Sequence, residues 1–244
     1  MADKKEMLLG TSGWSYEHWK EVFYPLDLPK KKWFEYFTNH FSTVEINASF
    51  YRIPTAKVTQ GWYDRSPLNF RFSIKMSRLI THVKKLRNCT EEINWFFSSF
   101  EPLQSKIAVY LIQLPPSLNY DPGRLNEFLY LLPQYSYALE FRNSSWYRDD
   151  IYDLLSQRGV AFCIHDMQGL QTERVVTSEM LYLRFHGYSG LYGGDYPDSV
   201  LKDWAHFIKE QHARGNSILG YFNNDIGGFA VKNCKRLEEL TRHT

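Results

Sequence analysis

An α/β protein built as a TIM-type (β/α)8 barrel is expected here on three grounds. Segments with strand and helix signals alternate along the chain. The strand-like segments collect Glu, Asn, Lys, Arg and His at their C-terminal ends, mostly on one face. The length of 244 residues suits one such barrel. Side chains alternate faces along a strand. A parallel barrel with its site at the strand C-termini gives those clustered polar ends a reason.

Taken in order, strands are expected over 7–11, 43–49, 70–76, 107–114, 136–142, 160–166, 179–187 and 217–223. Helices are expected between them over 30–41, 55–65, 91–101, 122–132, 149–158, 199–214 and 227–241. Pro54-Thr55, Asp121-Pro122 and Asp225 read as helix starts. Arg158-Gly159 and Arg214-Gly215 read as helix stops. The sixth helix is weak or missing, because 167–178 carries no convincing helical pattern. An open doubly wound sheet is the alternative architecture. With no linker, repeat or low-complexity segment, residues 1–244 are read as one domain.

Strand parity sorts the faces. On the second strand Val44, Ile46 and Ala48 face the helices, while Glu45, Asn47 and Ser49 face the barrel axis. On the third, Arg71, Ser73 and Lys75 face inward; on the fifth, Glu140 and Arg142; on the seventh, Arg184 and His186. The fourth strand offers Gln113, the sixth ends at His165-Asp166 and the eighth at Asn223-Asn224-Asp225. His165 is expected towards the helix layer.

These strand ends place the carboxylates Glu45, Glu140 and Asp166 among the cations Lys75, Arg142 and Arg184. Buried charge is costly unless it is paired or used. One reading is a self-neutralising network that orders the barrel top. The favoured one is a reactive pocket, because such crowding shifts pKa values. Glu45, Lys75, Glu140, Asp166 and His186 are then the catalytic candidates. Asn47, Tyr51, His82, Gln113, Arg142, Arg184, Asn223 and Asn224 are the substrate-binding ones.

No metal is expected. The carboxylates and His82, His165 and His186 are of ligating type, but three cations stand among them and no HExxH pair exists. No cofactor is expected either, since no P-loop and no GxGxxG after a strand occurs. Gly10-Thr-Ser-Gly13 is not a GxSxG elbow, so Ser12 is a poor nucleophile. Cys163 reads as a small core residue.

Two glycine-rich loops follow the last strands, with Gly187, Gly193 and Gly194 in one and Gly227 and Gly228 in the other. Glycine lets a ligand approach the backbone, and a helix N-terminus offers N–H groups to an anion. These five glycines are the anion-binding candidates; loop flexibility is the plainer alternative. Aromatics frame the same end: Trp14, Tyr16, Trp19, Phe50, Tyr51, Trp146, Tyr188 and Tyr192.

Composition bounds the partners. Apolar residues make up 43% and charged residues 23%, ordinary for a soluble domain. The formal charge of +2 gives no polycation signature for nucleic acid. Aromatics at 17% leave a surplus that can line a cleft. The three cysteines are widely spaced and form no CxxC pair. The first residues lack a signal-peptide stretch, and no run approaches a membrane span. A cytoplasmic location without membrane contact is expected, in which the sequons at Asn47, Asn88 and Asn143 carry nothing.

Seven ordered motifs resemble one family. They are Gly10-Thr-Ser-Gly-Trp-Ser-Tyr16 with Phe23-Tyr-Pro25, Val44-Glu-Ile-Asn47 with Phe50-Tyr51, and Phe72-Ser-Ile-Lys75 with Thr81-His82. Gln113-Leu-Pro-Pro116, Glu140-Phe-Arg142 with Ser145-Trp146, Arg184-Phe-His-Gly187 and Tyr221-Phe-Asn-Asn-Asp225 complete the set. From about residue 8 to residue 240 the chain resembles the YecE-like family, domain of unknown function seventy-two. That resemblance implies a TIM-type barrel and no defined chemistry. Glu21 and Cys234 depart from the family pattern, and neither touches the expected site.

The function expected is binding, and chemistry, on a small phosphorylated or anionic sugar-like molecule. A carboxylate would serve as acid or base, and the cations would hold the anionic part. Hydrolase, lyase and isomerase reactions without a tightly bound metal all fit. Two alternatives stay open: a nucleic-acid binder or endonuclease-like hydrolase, which overall charge disfavours, and a non-catalytic ligand-sensing barrel. Oligomeric state is not readable.

Overall fold

In the computed structural model, residues 5–167, 172–190 and 192–242 are described. The expectation about the extreme N-terminus therefore falls partly outside the described residues, as do part of the weak sixth-helix segment and Leu191 of the first glycine loop.

Eight parallel strands close into a barrel in sequence order, β1 through β8. They are β1 Met7–Ser12, β2 Thr43–Ile46, β3 Arg71–Lys75, β4 Ile107–Leu114, β5 Tyr137–Phe141, β6 Ala161–Asp166, β7 Met180–Phe185 and β8 Ser217–Phe222. Closure is made by β1 against β8, from Met7 opposite Ile218 to Thr11 opposite Phe222. The open-sheet alternative is thereby excluded.

The helices are α1 Trp33–Thr38, α2 Ala48–Tyr51, α3 Ala56–Arg65, α4 Thr90–Phe100, α5 Pro122–Leu131, α6 Asp149–Gln157, α7 Asp198–Ala213 and α8 Phe229–Arg242. Asp121 caps α5 by accepting from the Arg124 N–H, with Pro122 in the first turn. Gly159 and Gly215 follow α6 and α7 at φ +64° and +91°, the left-handed stop that glycine makes cheap. Between β6 and β7 the described residues hold no helix.

Two expectations are corrected. The second strand ends at Ile46 rather than at residue 49, and the chain turns directly into the short helix α2. Ser49 therefore leaves the strand and donates to the carbonyls of Ile46 and Lys75, tying α2 to β3. Asp225 does not cap the last helix. A 3₁₀ turn, Ile226–Gly228, intervenes, and the Asp225 carboxylate turns to His18 at 3.4 Å.

The apolar interior has two layers. The larger fills the space between strands and helices, with Val44, Ile74, Ile112, Phe141, Ile164 and Phe185 among its strand residues. The smaller lies inside the barrel: Val109, Leu111, Ala138, Ala161, Cys163, Tyr182, Leu219 and Tyr221. From β5 to β8 the two sets alternate in parity along the strand, as the pleat requires. Gly10 belongs to a tight place in this wall, where a Cβ would stand 2.5 Å from the Thr43 carbonyl oxygen.

Candidate functional site

Inside the barrel, the apolar layer gives way to a polar one before the mouth. Tyr182 and Tyr221 carry the change, each with an apolar body in the core and a hydroxyl pointing up. Tyr221 shares a 2.8 Å hydrogen bond with Thr43, and Tyr182 a 2.6 Å bond with Ser73. Tyr182 also reaches Glu45 Oε2 at 2.6 Å. Sequence reasoning missed these tyrosines, although both share the inward parity of residues it named: Tyr182 lies two before Arg184, and Tyr221 two before Asn223.

Above them sits a buried ion network centred on Arg184. Its Nη2 donates to Glu45 Oε1 at 2.8 Å and its Nη1 to Glu140 Oε2 at 2.6 Å. Ser12 Oγ donates to Glu45 Oε1 at 2.6 Å. Arg142 Nη2 contacts Glu140 Oε1, which also accepts from Gln113 Nε2 at 3.2 Å. Glu45, Glu140 and Arg184 are almost wholly buried. Burial alone would raise the Glu140 pKa; Arg142 and Arg184, with His186, override that and hold it well below the usual range. Glu140 is thus a fixed anion, poorly suited to trading protons near neutral pH.

His186 joins this network from β7. Its Nε2 lies 3.0 Å from Arg142 Nη2 and 3.5 Å from Glu140 Oε1, and its Nδ1 lies 3.1 Å from the Asn223 amide. Burial and then Arg184 lower its pKa to about 3, against the pull of Glu140. The ring is therefore neutral at pH 7.

On β6 the structure reverses an expectation. His165 faces the barrel interior, its Nδ1 4.0 Å from Glu140 Oε1, with both ring nitrogens buried and unpartnered among the described residues. Asp166 shares the parity of Phe162 and Ile164, which face the helices. It lines a cleft of about 260 Å³ with His165, Arg174, Tyr188, Asp203 and Trp204. The reason is register: Cys163 and His165 pair beside Tyr182 and Arg184, so the next residue must point out. Asp166 thus points to the opposite face of the strand from His165.

Lys75 ends β3 and reaches the mouth differently. It is 8% exposed. Its amine stands 4.2 Å from the centre of the Phe50 ring and makes no hydrogen bond or ion pair with a described residue. Burial, then Arg184, lower its pKa to about 7, while Glu140 and Glu45 pull the other way. His82, on the turn Leu79–Val83, packs edge-on against the same ring at 4.8 Å, and its Nδ1 lies 2.9 Å from Thr81 Oγ1. Burial and then Lys75 lower its pKa to about 4.

The remaining candidates divide. Asn47 begins α2 and lines a cleft of about 260 Å³ with Ser12, Trp14, Tyr16 and Trp62; its Oδ1 is buried without a partner among the described residues. Tyr51, Tyr188 and Tyr192 are exposed around the mouth, whereas Trp19 and Trp146 are buried and pack under loops. Asn224 is spent between the two glycine loops, donating to the Gly194 carbonyl at 2.9 Å and to Asn233 Oδ1 at 2.9 Å.

The glycines serve loop closure. At Gly187, φ +116°, a Cβ would meet the Gly193 oxygen at 2.2 Å; at Gly194, φ +87°, it would meet Ser189 Oγ at 2.2 Å. Gly193 N donates to the Gly190 carbonyl and Gly187 N to Tyr196 OH. Gly227 and Gly228 also take positive φ, and Gly228 N donates to the Asp225 carbonyl. Three of the five glycine N–H groups expected to cradle an anion, those of Gly187, Gly193 and Gly228, are thus engaged within the loops.

Among the described residues, no three His, Cys, Asp or Glu side chains come together as a metal site, and no helix is long and apolar enough to cross a membrane. The three cysteines are buried thiols.

The same strand ends carry the seven motifs, and residues 8–244 match the family model described as protein of unknown function DUF72. The chain belongs to the DUF72 family. Among curated DUF72-like relatives, the UPF0759 protein YunF of Bacillus subtilis is 26% identical over 266 residues, 95% of this chain and 93% of that one. The UPF0759 protein YecE of Escherichia coli K12 is 27% identical over 175 residues, 68% of this chain and 61% of that one. The crystal structure of a DUF72 protein from Thermotoga maritima superposes with a TM-score of 0.87 at 27% identity, covering 98% of this chain and all (100%) of that one. One from Enterococcus faecalis, at 20% identity, has a TM-score of 0.85 over 98% and 96% of the two chains and speaks to the fold alone.

Proposed function

We propose that the barrel mouth binds a small anionic molecule, phosphorylated or sugar-like, and that its proton-transfer group is the Lys75 amine rather than a carboxylate. The charge count carries this reading. With Asp166 turned outward, three cations (Lys75, Arg142 and Arg184) face two carboxylates, Glu45 and Glu140. Both carboxylates are taken by arginines, so the mouth carries an excess positive charge whenever the Lys75 amine is protonated. An anion would neutralise it in a site where the low local dielectric strengthens the attraction.

The carboxylates then act indirectly. They hold Arg142 and Arg184 rigidly, so the positive field at the mouth needs no reorganisation when a ligand arrives. Arg142, the more exposed of the two, presents its edge to the ligand, with Gln113, His186 and Asn223 beside it. Tyr51, His82 and Asn47 supply polar rim contacts. The three imidazoles, His82, His165 and His186, are neutral rather than cationic at neutral pH, so they add no positive charge to the mouth. Lys75 is the group whose pKa lies where general acid–base work is efficient.

The test is thermal stabilisation and calorimetric binding with inorganic phosphate and with glycolaldehyde phosphate. Wild type should be stabilised by both, and Lys75→Met should weaken binding about tenfold, the worth of one charge-assisted contact. No stabilisation by either ligand at millimolar concentration would remove the reading. Salt-dependent binding to a short oligonucleotide, with no response to phosphate, would instead favour the nucleic-acid alternative.

A further inference from the structure

Lys75 differs from the other two mouth cations in what surrounds it. Arg142 and Arg184 each meet a carboxylate. The Lys75 amine meets the face of Phe50 and, among the described residues, no hydrogen-bond acceptor. A lysine meant only to supply charge gains from solvent or from an acidic partner, and this one has little of either. The surroundings suit the neutral amine, whose lone pair is a nucleophile.

We infer that Lys75 forms an imine with the carbonyl carbon of a small anionic aldehyde or ketone held at the barrel mouth. This deepens, and rests on, the reading of the mouth as an anion site.

Three features of the geometry support it. The amine ends β3, on a rigid strand, and is 8% exposed, so it is both positioned and reachable. Arg142 and Arg184 stand near enough to disfavour an ammonium electrostatically, yet their carboxylate partners keep them from leaving. The Phe50 platform excludes water from one side, although its π-face partly offsets the desolvation by favouring the cation. The pKa of about 7 agrees: much of the amine is neutral at neutral pH.

The step balances without a further reactant. The Lys75 nitrogen attacks the carbonyl carbon, and the C=O π pair moves to oxygen, which takes a proton. The resulting carbinolamine loses that oxygen as water, both of whose hydrogens derive overall from the amine. The protons pass between nitrogen and oxygen through solvent water at the barrel mouth, which the 8% exposure of Lys75 admits. The anionic end of the substrate lies towards Arg142. Once protonated, the imine withdraws electrons from the adjacent carbon, as isomerisation or elimination next to a carbonyl requires.

Cyanoborohydride trapping with glycolaldehyde phosphate tests this, with peptide mapping of the reduced adduct. Lys75 should be modified at least tenfold faster than any other lysine. The rate should rise between about pH 6 and pH 8 as the amine deprotonates. Inorganic phosphate should slow it, and Lys75→Met should lose this adduct alone. Wild-type protein needs no variant to give the answer. Adducts spread over surface lysines, with Lys75 unmodified, would overturn the imine. If phosphate still stabilises the protein in that case, the anion reading survives alone. Rapid Lys75 trapping by uncharged glycolaldehyde, with no effect of phosphate, would support imine formation and overturn the anionic part of the substrate.

Discussion

The Arg184 clamp that spans the barrel mouth from β7 to β2 and β5, and the end of β3 beside β2, hold the same kinds of residue in opposite states. On the first, Arg184 is clamped between Glu45 and Glu140. On the second, Lys75 rests on an aromatic ring with no acidic partner within ion-pair distance among the described residues. A buried ion pair made of fork-shaped groups is a fixed piece of architecture. A buried amine without one has a displaced pKa and an available lone pair. Charge at a barrel mouth is therefore informative only after its partners are known.

The largest effect should come from breaking the clamp. Arg184→Met leaves Glu45 without a cation and Glu140 with Arg142 alone, and should cost ~3–5 kcal/mol. Urea denaturation measures it; a loss below about 1 kcal/mol would mean the network is not structural and the contrast fails.

Lys75→Met sharpens the other half. The Lys75 pKa falls from the ordinary lysine value of 10.5 to about 7 in the fold. Between these values the unfolded chain binds a proton that the folded chain does not. Stability from this group therefore rises with pH from about 7 towards 10.5, by up to ~1.4 kcal/mol per pH unit. Lys75→Met should remove that slope and raise stability at pH 7, where the wild-type fold still opposes protonation of the amine. Parallel urea titrations at about pH 7 and pH 9 compare the two proteins; equal slopes would show a lysine that stays charged in the fold.

Tyr182→Phe should cost ~1.5–3 kcal/mol, because it removes a hydrogen bond to the buried Glu45 carboxylate. Thermal denaturation is sufficient to read it. The smallest effect is expected at Asp166. Asp166→Asn should change phosphate affinity less than about twofold, the scatter expected of a residue outside the mouth. A tenfold change by calorimetry would return Asp166 to the site.

Much of this arrangement is legible in the sequence. Glu45, Lys75, Glu140, Arg142, Arg184 and His186 share inward parity near strand ends, and period-two alternation is a local property of the pleat. Parity failed where the end of a strand depends on the neighbouring strand. Residues 47–49 look like more strand, yet the chain turns into a helix there because Ser49 bonds across to β3. His165 and Asp166 are adjacent, so a one-residue choice of register exchanged their faces. The glycine loops looked open to a ligand, but Gly187 and Gly194 are where the backbone closes on itself.

By itself, the sequence determined the barrel, the end of it that carries the polar groups, and the membership of most of that group. Those follow from alternation, turn residues and ordered motifs, all of which act over a few residues. Only the tertiary structure decided which cation is paired and which is not. Pairing is a matter of distance across the barrel, between strands 44 residues apart for Arg184 and Glu140 and 139 apart for Arg184 and Glu45. Coulomb energy and desolvation depend on that distance and on burial, and neither is encoded in any one segment.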